Sequence, residues 1–417
     1  MKLKREDIDL SAPVGSYESL MAAVQGGANS VYFGVEKLNM RSRSSYNFNR
    51  EDLKKIIGIC NKHRIKTYLA VNIVLYDNEL PQIKELIDFA KKEGVNAIIA
   101  SDQAVINYAC SVGMGLHIST QANISNIESL KFYSNYSDVI ILARELNLLQ
   151  VSQIAEQVKE QKITGPSGEL VKLELFIHGA LCMSISGKCY LSLHEHNYSA
   201  NRGECLQDCR RAYTVKEKET GFSLDIDNEY IMSPKDLCTI HFLNKILDAG
   251  ISVLKIEGRA RPPEYVKIVT ECYNEAINLY VEGKYTADKI KNWRGKLSTV
   301  FNRGFWDGYY LGQKLGEWSE VYGSSANKQK RYIGKGMNYF DKIKVAEFLC
   351  EAGILNVGDE IMITGPTTGV IHAIVKEIRV DLKNVNQAQQ GERFSFPLEY
   401  TIRRSDKLFK ITDSDKK

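Results

Sequence analysis

The stretch IDLSAPVGSYESLMAAVQGGANSVYFG, residues 8–34, predicts a strand, a helix and a second strand. Positions 8–14 and 30–34 are apolar runs of strand length, and 16–28 has the character of a helix with Ser16 as candidate N-cap. A helix that joins two such strands makes them parallel neighbours in one sheet. The stretch therefore favours an α/β fold.

The same alternation continues along the chain. Further apolar strands are expected at positions 66–76, 96–102, 115–121, 138–144, 171–179 and 252–259. Eight strands separated by amphipathic helices, over roughly 280 residues, fit a (β/α)8 barrel of the TIM type. An open doubly wound sheet is the alternative. No G-x-G-x-x-G follows the first strand, which disfavours a dinucleotide-binding domain.

Three regions follow from this pattern. Residues 1–285 are interpreted as the TIM-like barrel, with a Cys-rich insertion at about 180–240. Residues 286–329 are expected to form a helical connector. From 330 to 411, short apolar segments alternate with Gly and Asn turns, which predicts a small C-terminal all-β barrel.

Composition narrows the protein class without deciding the substrate. The chain has 417 residues, of which 44% are hydrophobic and 25% are charged, as in ordinary globular proteins. A net charge of +4 neither requires nor excludes nucleic acid. No apolar stretch of about 18 residues occurs, so no membrane span is expected. The N-terminus lacks the features of a signal peptide, and the cytoplasm is the expected compartment.

Cysteines are concentrated in the predicted insertion. Five of the nine fall between positions 182 and 238, namely Cys182, Cys189, Cys205, Cys209 and Cys238. In a cytoplasmic protein such clustering favours a metal site over disulfides. Four thiolates suit an iron–sulfur cluster or structural zinc. The tight C-x2-C pairs of zinc ribbons are absent, which disfavours zinc but leaves zinc and free thiols open.

Polar residues occur where the barrel strands end, and in a TIM barrel the active site lies at those carboxyl ends. The segment HISTQAN alternates polar side chains onto one strand face, and KIEGR does the same. The structural alternative is a satisfied hydrogen-bond network or an internal salt bridge. The residues singled out in this way are His117, Gln121, Asn123, Arg144, Glu145, His178, Lys255, Glu257 and Arg259.

Hydrolytic motifs are missing. The chain has neither H-E-x-x-H nor G-x-S-x-G, so metallopeptidase and serine hydrolase chemistry are poorly supported. A nucleophile pair of Cys182 with His178 is the remaining peptidase arrangement.

The segment ELFIHGALCMSISGKCYLS, residues 174–192, resembles the signature of the collagenase-like peptidase family U32. That signature reads E-x-F-x-x-G-[SA]-[LIVM]-C-x4-G-x-C-x-[LIVM]-S, and every position matches. The family name implies a protease. The resemblance also implies oxygen-independent hydroxylation, because better-understood relatives form 5-hydroxyuridine at the wobble position of tRNA, with prephenate implicated as oxygen source. Other relatives act on ribosomal RNA or, as a pair, on ubiquinone precursors.

The resemblance assigns roles to residues. It implies a 4Fe-4S cluster held by Cys182, Cys189, Cys205 and Cys238, with Cys209 as a spare or alternate ligand. We expect catalytic roles for His117, His178 and Gln121, and substrate binding by Asn123, Arg144, Glu145, Glu257 and Arg259. The arginines would clamp a carboxylated cosubstrate. The expected partners are tRNA and a paralogous family member in a hetero-oligomer. The alternatives are a peptidase and a non-catalytic partner subunit.

Overall fold

The computed structural model describes residues 4–43, 48–214, 218–219, 230, 232–313 and 316–414. The N-terminal unit consists of β1 (Asp9–Pro13), α1 (Tyr17–Gly26), β2 (Ser30–Phe33), α2 (Arg50–Lys62), β3 (Lys66–Val71), α3 (Leu80–Glu93), β4 (Ala97–Ala100), α4 (Gln103–Ser111), β5 (Leu116–Ile118), α5 (Ile127–Ser134), β6 (Val139–Ile141), α6 (Leu148–Glu160), β7 (Lys172–Ala180), α7 (Leu191–His196), β8 (Asp236–Cys238), α8 (Leu243–Asp248), β9 (Val253–Ile256), α9 (Pro263–Val281), α10 (Ala287–Leu297) and β10 (Phe305–Trp306).

Eight parallel strands close into a barrel. Strands β1 to β7 pair with their neighbours in sequence order, and β9 pairs with both β7 and β1. The strand residues are almost all buried, because helices cover the outside and side chains fill the inside. The predicted TIM-like barrel is confirmed, and the open doubly wound sheet is wrong.

Local signals explain where the helices begin and end. The predicted cap Ser16 accepts a hydrogen bond from the backbone N–H of Ser19, and Gly27 ends α1 in the left-handed conformation. Asn49 and Asp52 form a capping box at the start of α2. None of the described helices combines the length and apolar character that crossing a membrane requires.

Two short strands extend the sheet beside the end of β7. β8 runs antiparallel to β7, with His178 opposite Cys238 and Ala180 opposite Asp236. β10 then adds to β8 in parallel. Both strands lie at the carboxyl end of the barrel, where the Cys-rich insertion leaves it. Of the described residues between 286 and 329, Ala287–Leu297 are α-helical.

The C-terminal unit is all-β and has its own apolar core. Its strands are β11 (Lys328–Phe340), β12 (Val345–Cys350), β13 (Ile354–Asn356), β14 (Glu360–Gly365), β15 (Gly369–Ile374), β16 (Ile378–Val380), β17 (Lys383–Val385), β18 (Gln387–Gln389), β19 (Arg393–Pro397) and β20 (Lys407–Asp413). Eight of them form one antiparallel sheet in the order β15-β14-β20-β11-β12-β19-β16-β17, and β13 pairs with β18. The rings of Phe348, Phe394 and Phe396 stack in the core.

The two units share an interface of α1 and α9 with β15. The side-chain amide of Gln25 donates to Thr368 O at 2.9 Å and accepts from Val370 N at 3.0 Å. Lys267 Nζ donates to Val370 O at 2.9 Å. These bonds fix the C-terminal unit against the outer helices of the barrel.

Candidate active site

A cavity of about 520 Å³ opens at the carboxyl ends of the barrel strands. Its floor includes Tyr32 from β2, Phe176 from β7 and Lys255 from β9, and the Cys-rich insertion forms one wall. This is the position at which TIM barrels carry their active sites.

Four cysteines of the insertion line this cavity together: Cys182, Cys189, Cys205 and Cys209. Three of them belong to the set that the sequence and the family resemblance predicted. The fourth was expected only as a spare or alternate ligand, and the structure places it with the other three.

Cys238, the fourth ligand that the resemblance implied, requires a correction. It lies in β8, is 2% exposed, packs into the barrel core and does not line the cavity. The reason is the direction of β8. This strand runs back along β7, so Cys238 returns to the level of His178, whereas Cys182 lies beyond the end of β7.

Hydrogen bonds within the insertion position the cysteine segments. The Ser192 hydroxyl donates to Asp208 Oδ2 at 2.9 Å and accepts from Leu206 N at 3.0 Å. Arg210 donates to Leu181 O at 2.5 Å and to Pro234 O at 2.8 Å. Three separate stretches of chain are therefore fixed around the cysteines.

Gly187 lies between the first two cysteines of the cavity. Its φ is 77°, in the left-handed region, and a Cβ there would stand 2.7 Å from Gln121 Nε2. Glycine allows both the backbone conformation and the close approach of Gln121.

The thiols influence one another electrostatically. Burial raises the pKa of Cys209 to about 11, and the charges of Cys182, Cys205 and Cys189 add to the effect, while Arg210 opposes it. Burial also raises the pKa of Cys205, against the lowering influence of a backbone hydrogen bond from Gln207 and the charge of Arg41. A group of neighbouring thiols that repel each other as thiolates is stabilised when a bound metal centre neutralises their charge.

The spacing of these side chains bears on the kind of centre they fit. Within the described residues, no three Cys, His, Asp or Glu side chains stand close enough together to hold a single metal ion. A zinc ion needs four sulfurs about 2.3 Å from one point. In a four-iron cluster each thiolate bonds its own iron, so the sulfurs stand further apart. The four cavity cysteines are therefore not arranged as a preformed zinc site.

The cavity is strongly basic. Seven cationic side chains line it: Arg41, Arg144, Arg210, Lys255, Arg259, Arg261 and Arg303. Arg41 pairs with Glu257 at 2.8 Å, Arg261 with Asp236 at 2.8 Å, and Lys255 with Glu174 at 2.7 Å. Because several of these cations already pair with a carboxylate, the others define the charge that the cavity offers to a ligand.

Arg144 and Arg259 make no ion pair with a carboxylate in the part of the chain that the structure describes. Arg144 lies with its guanidinium carbon 3.9 Å from the centre of the Phe176 ring and donates to Ala180 O at 3.3 Å. Arg259 is 6% exposed and donates to Asn39 Oδ1 at 2.9 Å. Burial lowers the pKa of Arg259 to about 10. An anion between these two residues would offset that unfavourable burial.

Glu257 is the carboxylate that the cavity itself contains. Burial would raise its pKa, but the charge and hydrogen bonds of Arg41, together with the charges of Arg144 and Arg261, outweigh burial and hold the pKa at about 2. Glu257 therefore stays ionised and fixes Arg41 at the cavity wall. The predicted substrate-binding residue Glu257 thus lines the cavity, where its side chain contacts the guanidinium of Arg41.

The two predicted catalytic histidines do not line the cavity. His117 is buried inside the barrel, where Nδ1 lies 3.2 Å from Glu174 Oε2. His178 is also buried, with Nδ1 3.3 Å from the Tyr273 hydroxyl, and burial lowers its pKa to about 3. Both therefore correspond to the structural alternative, a satisfied internal network. The Cys182–His178 pair, which was the remaining arrangement for a peptidase, is not formed, because His178 does not line the cavity.

The other predicted residues divide between two cavities. Gln121 lines the main cavity. Asn123 does not; it has a positive φ of 54° directly after a short 3-10 turn. Glu145 lines a second cavity of about 160 Å³, which lies beside the first and shares Arg144 and Cys182 with it.

Sequence reasoning missed Arg41, Arg261 and Arg303 as cavity residues. Arg41 follows β2, in a loop without strand or helix periodicity. Arg303 belongs to the segment FNRGF, which contains none of the motifs that the sequence analysis used. These arginines could have been predicted from their positions close to the ends of strands, because the loops at the carboxyl end of a barrel supply its functional groups.

Comparison with known proteins identifies a family and several relatives. Residues 15–320 match the sequence profile of peptidase family U32. A collagenase of Porphyromonas gingivalis is 58% identical over 405 residues, 97% of this chain and 98% of its own. The tRNA hydroxylation protein P1 of Bacillus subtilis is 29% identical over 366 residues, 86% of this chain and 83% of its own. A 23S rRNA 5-hydroxycytidine synthase of Escherichia coli is 30% identical over 324 residues, 76% of this chain and 47% of its own.

Proposed function

This chain belongs to peptidase family U32, and its relatives include a tRNA hydroxylation protein. We propose that it is an RNA hydroxylase that converts a tRNA uridine to 5-hydroxyuridine without molecular oxygen. The proposal takes the wobble position as target, prephenate as oxygen source and the cytoplasm as compartment. One relative is named for hydroxylation of tRNA and another for making 5-hydroxycytidine in rRNA. RNA is therefore the substrate class that the proposal adopts.

One observation carries the proposal: four cysteines line the same cavity as Arg144 and Arg259, which form no ion pair with a carboxylate among the described residues. The cysteines suit a redox centre, and the arginines suit an acidic small molecule. A cavity that brings these groups together fits a reaction in which a carboxylated cosubstrate meets a metal cluster.

In this mechanism Cys182, Cys189, Cys205 and Cys209 would hold a 4Fe-4S cluster, which supplies one-electron transfer when bound. The chain's own groups orient the cosubstrate. Arg144 and Arg259 would each grip a carboxylate with two parallel hydrogen bonds. The rings of Tyr32 and Phe176 cover the floor, and they exclude water from the space beneath the cosubstrate.

Lys255 contributes a fixed positive charge at the floor of the cavity. Its Nζ donates to Glu174 Oε1 at 2.7 Å and lies 4.5 Å from the centre of the Tyr32 ring. Burial lowers the pKa of Lys255, and the charge of Glu174 opposes that lowering. The ammonium group is thereby held in place to stabilise negative charge that develops on a bound ligand.

The test begins with anaerobic purification and measurement of iron and acid-labile sulfide. Close to four of each per chain is expected for one cluster, and stoichiometric zinc without iron would remove the redox proposal. Nucleoside analysis of tRNA from a strain that lacks the gene should then show loss of 5-hydroxyuridine. Wild-type protein should restore it, and the Cys182→Ser variant should not.

Peptide hydrolysis is the second candidate, because the P. gingivalis relative is named a collagenase. Gelatin cleavage by the purified protein, measured with and without its metal, separates the two candidates. Cleavage that survives the double change Cys182→Ala and Cys189→Ala, with no 5-hydroxyuridine formed by the wild type, would favour the peptidase.

A further inference from the structure

The second cavity, beside Cys182, has a composition unlike the first. It is small, about 160 Å³, against the ~300 Å³ at which sites for drug-sized ligands begin. Three aromatic side chains line it: Trp306, Tyr309 and Trp318. A space of this size between aromatic rings suits one flat ring rather than a whole nucleotide.

The aromatic walls are held by backbone pairing. Trp306 lies in β10, opposite Leu237 of β8, and its ring centre is 5.4 Å from that of Tyr309 in an edge-to-face arrangement. Trp318 forms an isolated bridge with Pro234. A Cβ placed on Gly316 would stand 3.7 Å from Trp306 and 3.8 Å from Trp318, so a glycine keeps the space between the two indoles free of a side chain.

Two polar atoms without partners belong to residues that line this aromatic space. Trp306 is 4% exposed, yet its indole Nε1 has no hydrogen-bond partner within the described part of the chain. The same holds for Nε of Arg144, which lines both cavities. A buried N–H donor without a partner is costly, so a ligand that brought an acceptor within reach of it would gain binding free energy. Glu145 supplies a carboxylate acceptor in the same cavity.

We propose that this cavity is the subsite for the target base, and that it takes a uracil ring flipped out of single-stranded RNA. The inference rests on the proposed function and names the group that the cavity recognises. A flipped base gains its binding energy from stacking on aromatic side chains and from hydrogen bonds to its edge. The shared residue Cys182 then puts the base next to the cysteine cavity.

The polar groups also select the base. Along its pairing edge, uracil presents an acceptor, a donor and a second acceptor. Two donors, Trp306 Nε1 and Arg144, together with one acceptor, Glu145, complement that pattern. Cytosine presents an unprotonated ring nitrogen where uracil has N3–H, and a carboxylate repels it. The cavity therefore discriminates uridine from cytidine through Glu145.

Photocrosslinking tests where the base binds, without requiring turnover. The full-length holoprotein is mixed with an anticodon-arm hairpin that carries 4-thiouridine at the wobble position, irradiated and mapped by mass spectrometry. Crosslinks are expected on the peptide that contains Trp306 or Trp318. Trp318→Leu should weaken hairpin binding roughly ten-fold, since it removes a stacking surface, whereas Tyr322→Leu, at an exposed aromatic outside both cavities, should not.

Glu145→Gln tests the selectivity between uridine and cytidine. Glu145 is exposed, so this substitution is not expected to disturb folding. The ratio of the Kd values for cytidine and uridine hairpins should fall roughly ten-fold in this variant, with unchanged iron content and melting temperature. An unchanged ratio overturns the assignment of Glu145 as the acceptor.

The outcomes separate this inference from the proposed function. Crosslinks confined to the C-terminal sheets, from protein that still forms 5-hydroxyuridine, overturn the subsite alone. Crosslinks at Trp306 or Trp318, from protein that forms no 5-hydroxyuridine, support the base subsite and overturn the proposed reaction. Quenching of tryptophan fluorescence by a gelatin peptide, but not by the hairpin, overturns both.

Discussion

At the residue scale, Cys209 occupies the position on which the metal proposal depends. Its thiol lies with those of three other cysteines in one cavity, and their charges oppose its ionisation. Cys238 lies in the barrel core, where burial raises its pKa to about 11 and its neighbour is Tyr273. Two cysteines of the same insertion thus have different chemical environments.

Cys209→Ser should leave the protein with little iron, because three thiolates remain for four irons. Cys238→Ser is the matched control, and it should keep the iron content of the wild type. Iron and sulfide analysis of anaerobically purified variants measures both. The reverse result, with iron lost only in Cys238→Ser, would contradict the ligand set proposed here.

Glu257 gives a prediction about pH. Its ordinary pKa is 4.5 and its pKa in the folded protein is about 2, so ionised Glu257 stabilises the fold above pH 4.5. That contribution, about 3 kcal/mol, is lost as pH falls toward 2. In Glu257→Gln the free energy of unfolding should therefore fall less steeply between pH 4.5 and 2. Denaturant titrations at several pH values measure the slope, and Glu156→Gln, at an exposed carboxylate, should retain the wild-type slope.

At the element scale, the end of β7 decides where the cysteines lie. Gly179 has a φ of 105°, and a Cβ there would stand 2.4 Å from Glu257 O and 2.8 Å from the Tyr265 hydroxyl. Only glycine fits between β7 and the segment after β9. The insertion therefore leaves the barrel in a direction that this residue sets.

Gly179→Ala should destabilise the protein by about 3 kcal/mol, since the new methyl meets backbone and adopts a strained conformation. Gly58→Ala, in the exposed middle of α2 where nothing lies within 4 Å of the new Cβ, should instead stabilise by up to about 1 kcal/mol. Urea unfolding of both variants measures the difference. A Gly179→Ala variant as stable as the wild type would show that β7 ends with more freedom than described.

The sequence was sufficient to predict the long strands and helices, but not the short strands. All eight barrel strands were predictable, because each is an apolar run between amphipathic helices. β8 and β10 were not, since DLC and FW are too short to show a period. The choice between Cys209 and Cys238 depends on the direction of β8. That direction is a tertiary property, and spacing along the chain cannot supply it.

At the scale of the whole molecule, two cores are joined by a small number of contacts. Turn residues and short strands predicted the all-β unit. Its docking on α1 and α9 was not predictable, because Gln25 and Thr368 are hundreds of positions apart in sequence. Val370 belongs to the barrel-side core although it lies in β15. The interface therefore depends on this strand.

Val370→Asp should separate the two units. It places an unpaired carboxylate at a fully buried position, which costs at least about 3 kcal/mol. Limited proteolysis should then release the C-terminal unit while the barrel stays intact. Ile374→Asp, in the same strand but 63% exposed, is the control and should leave the protease pattern unchanged. Intact chain in both variants would indicate that other contacts hold the units together.

The direct pairing of β7 with β9 has a consequence for how such proteins diverge. Since these strands close the barrel by themselves, the segment from Cys182 to Cys209 lies outside the ring of strands, whereas β8 and α8 return to pack against the core. Evolution can lengthen, shorten or replace that stretch without rebuilding the scaffold, provided that its two ends stay at the same rim. Relatives with one scaffold and different reactions are the expected result, and a grafted insertion is a practical route to transferring chemistry between them.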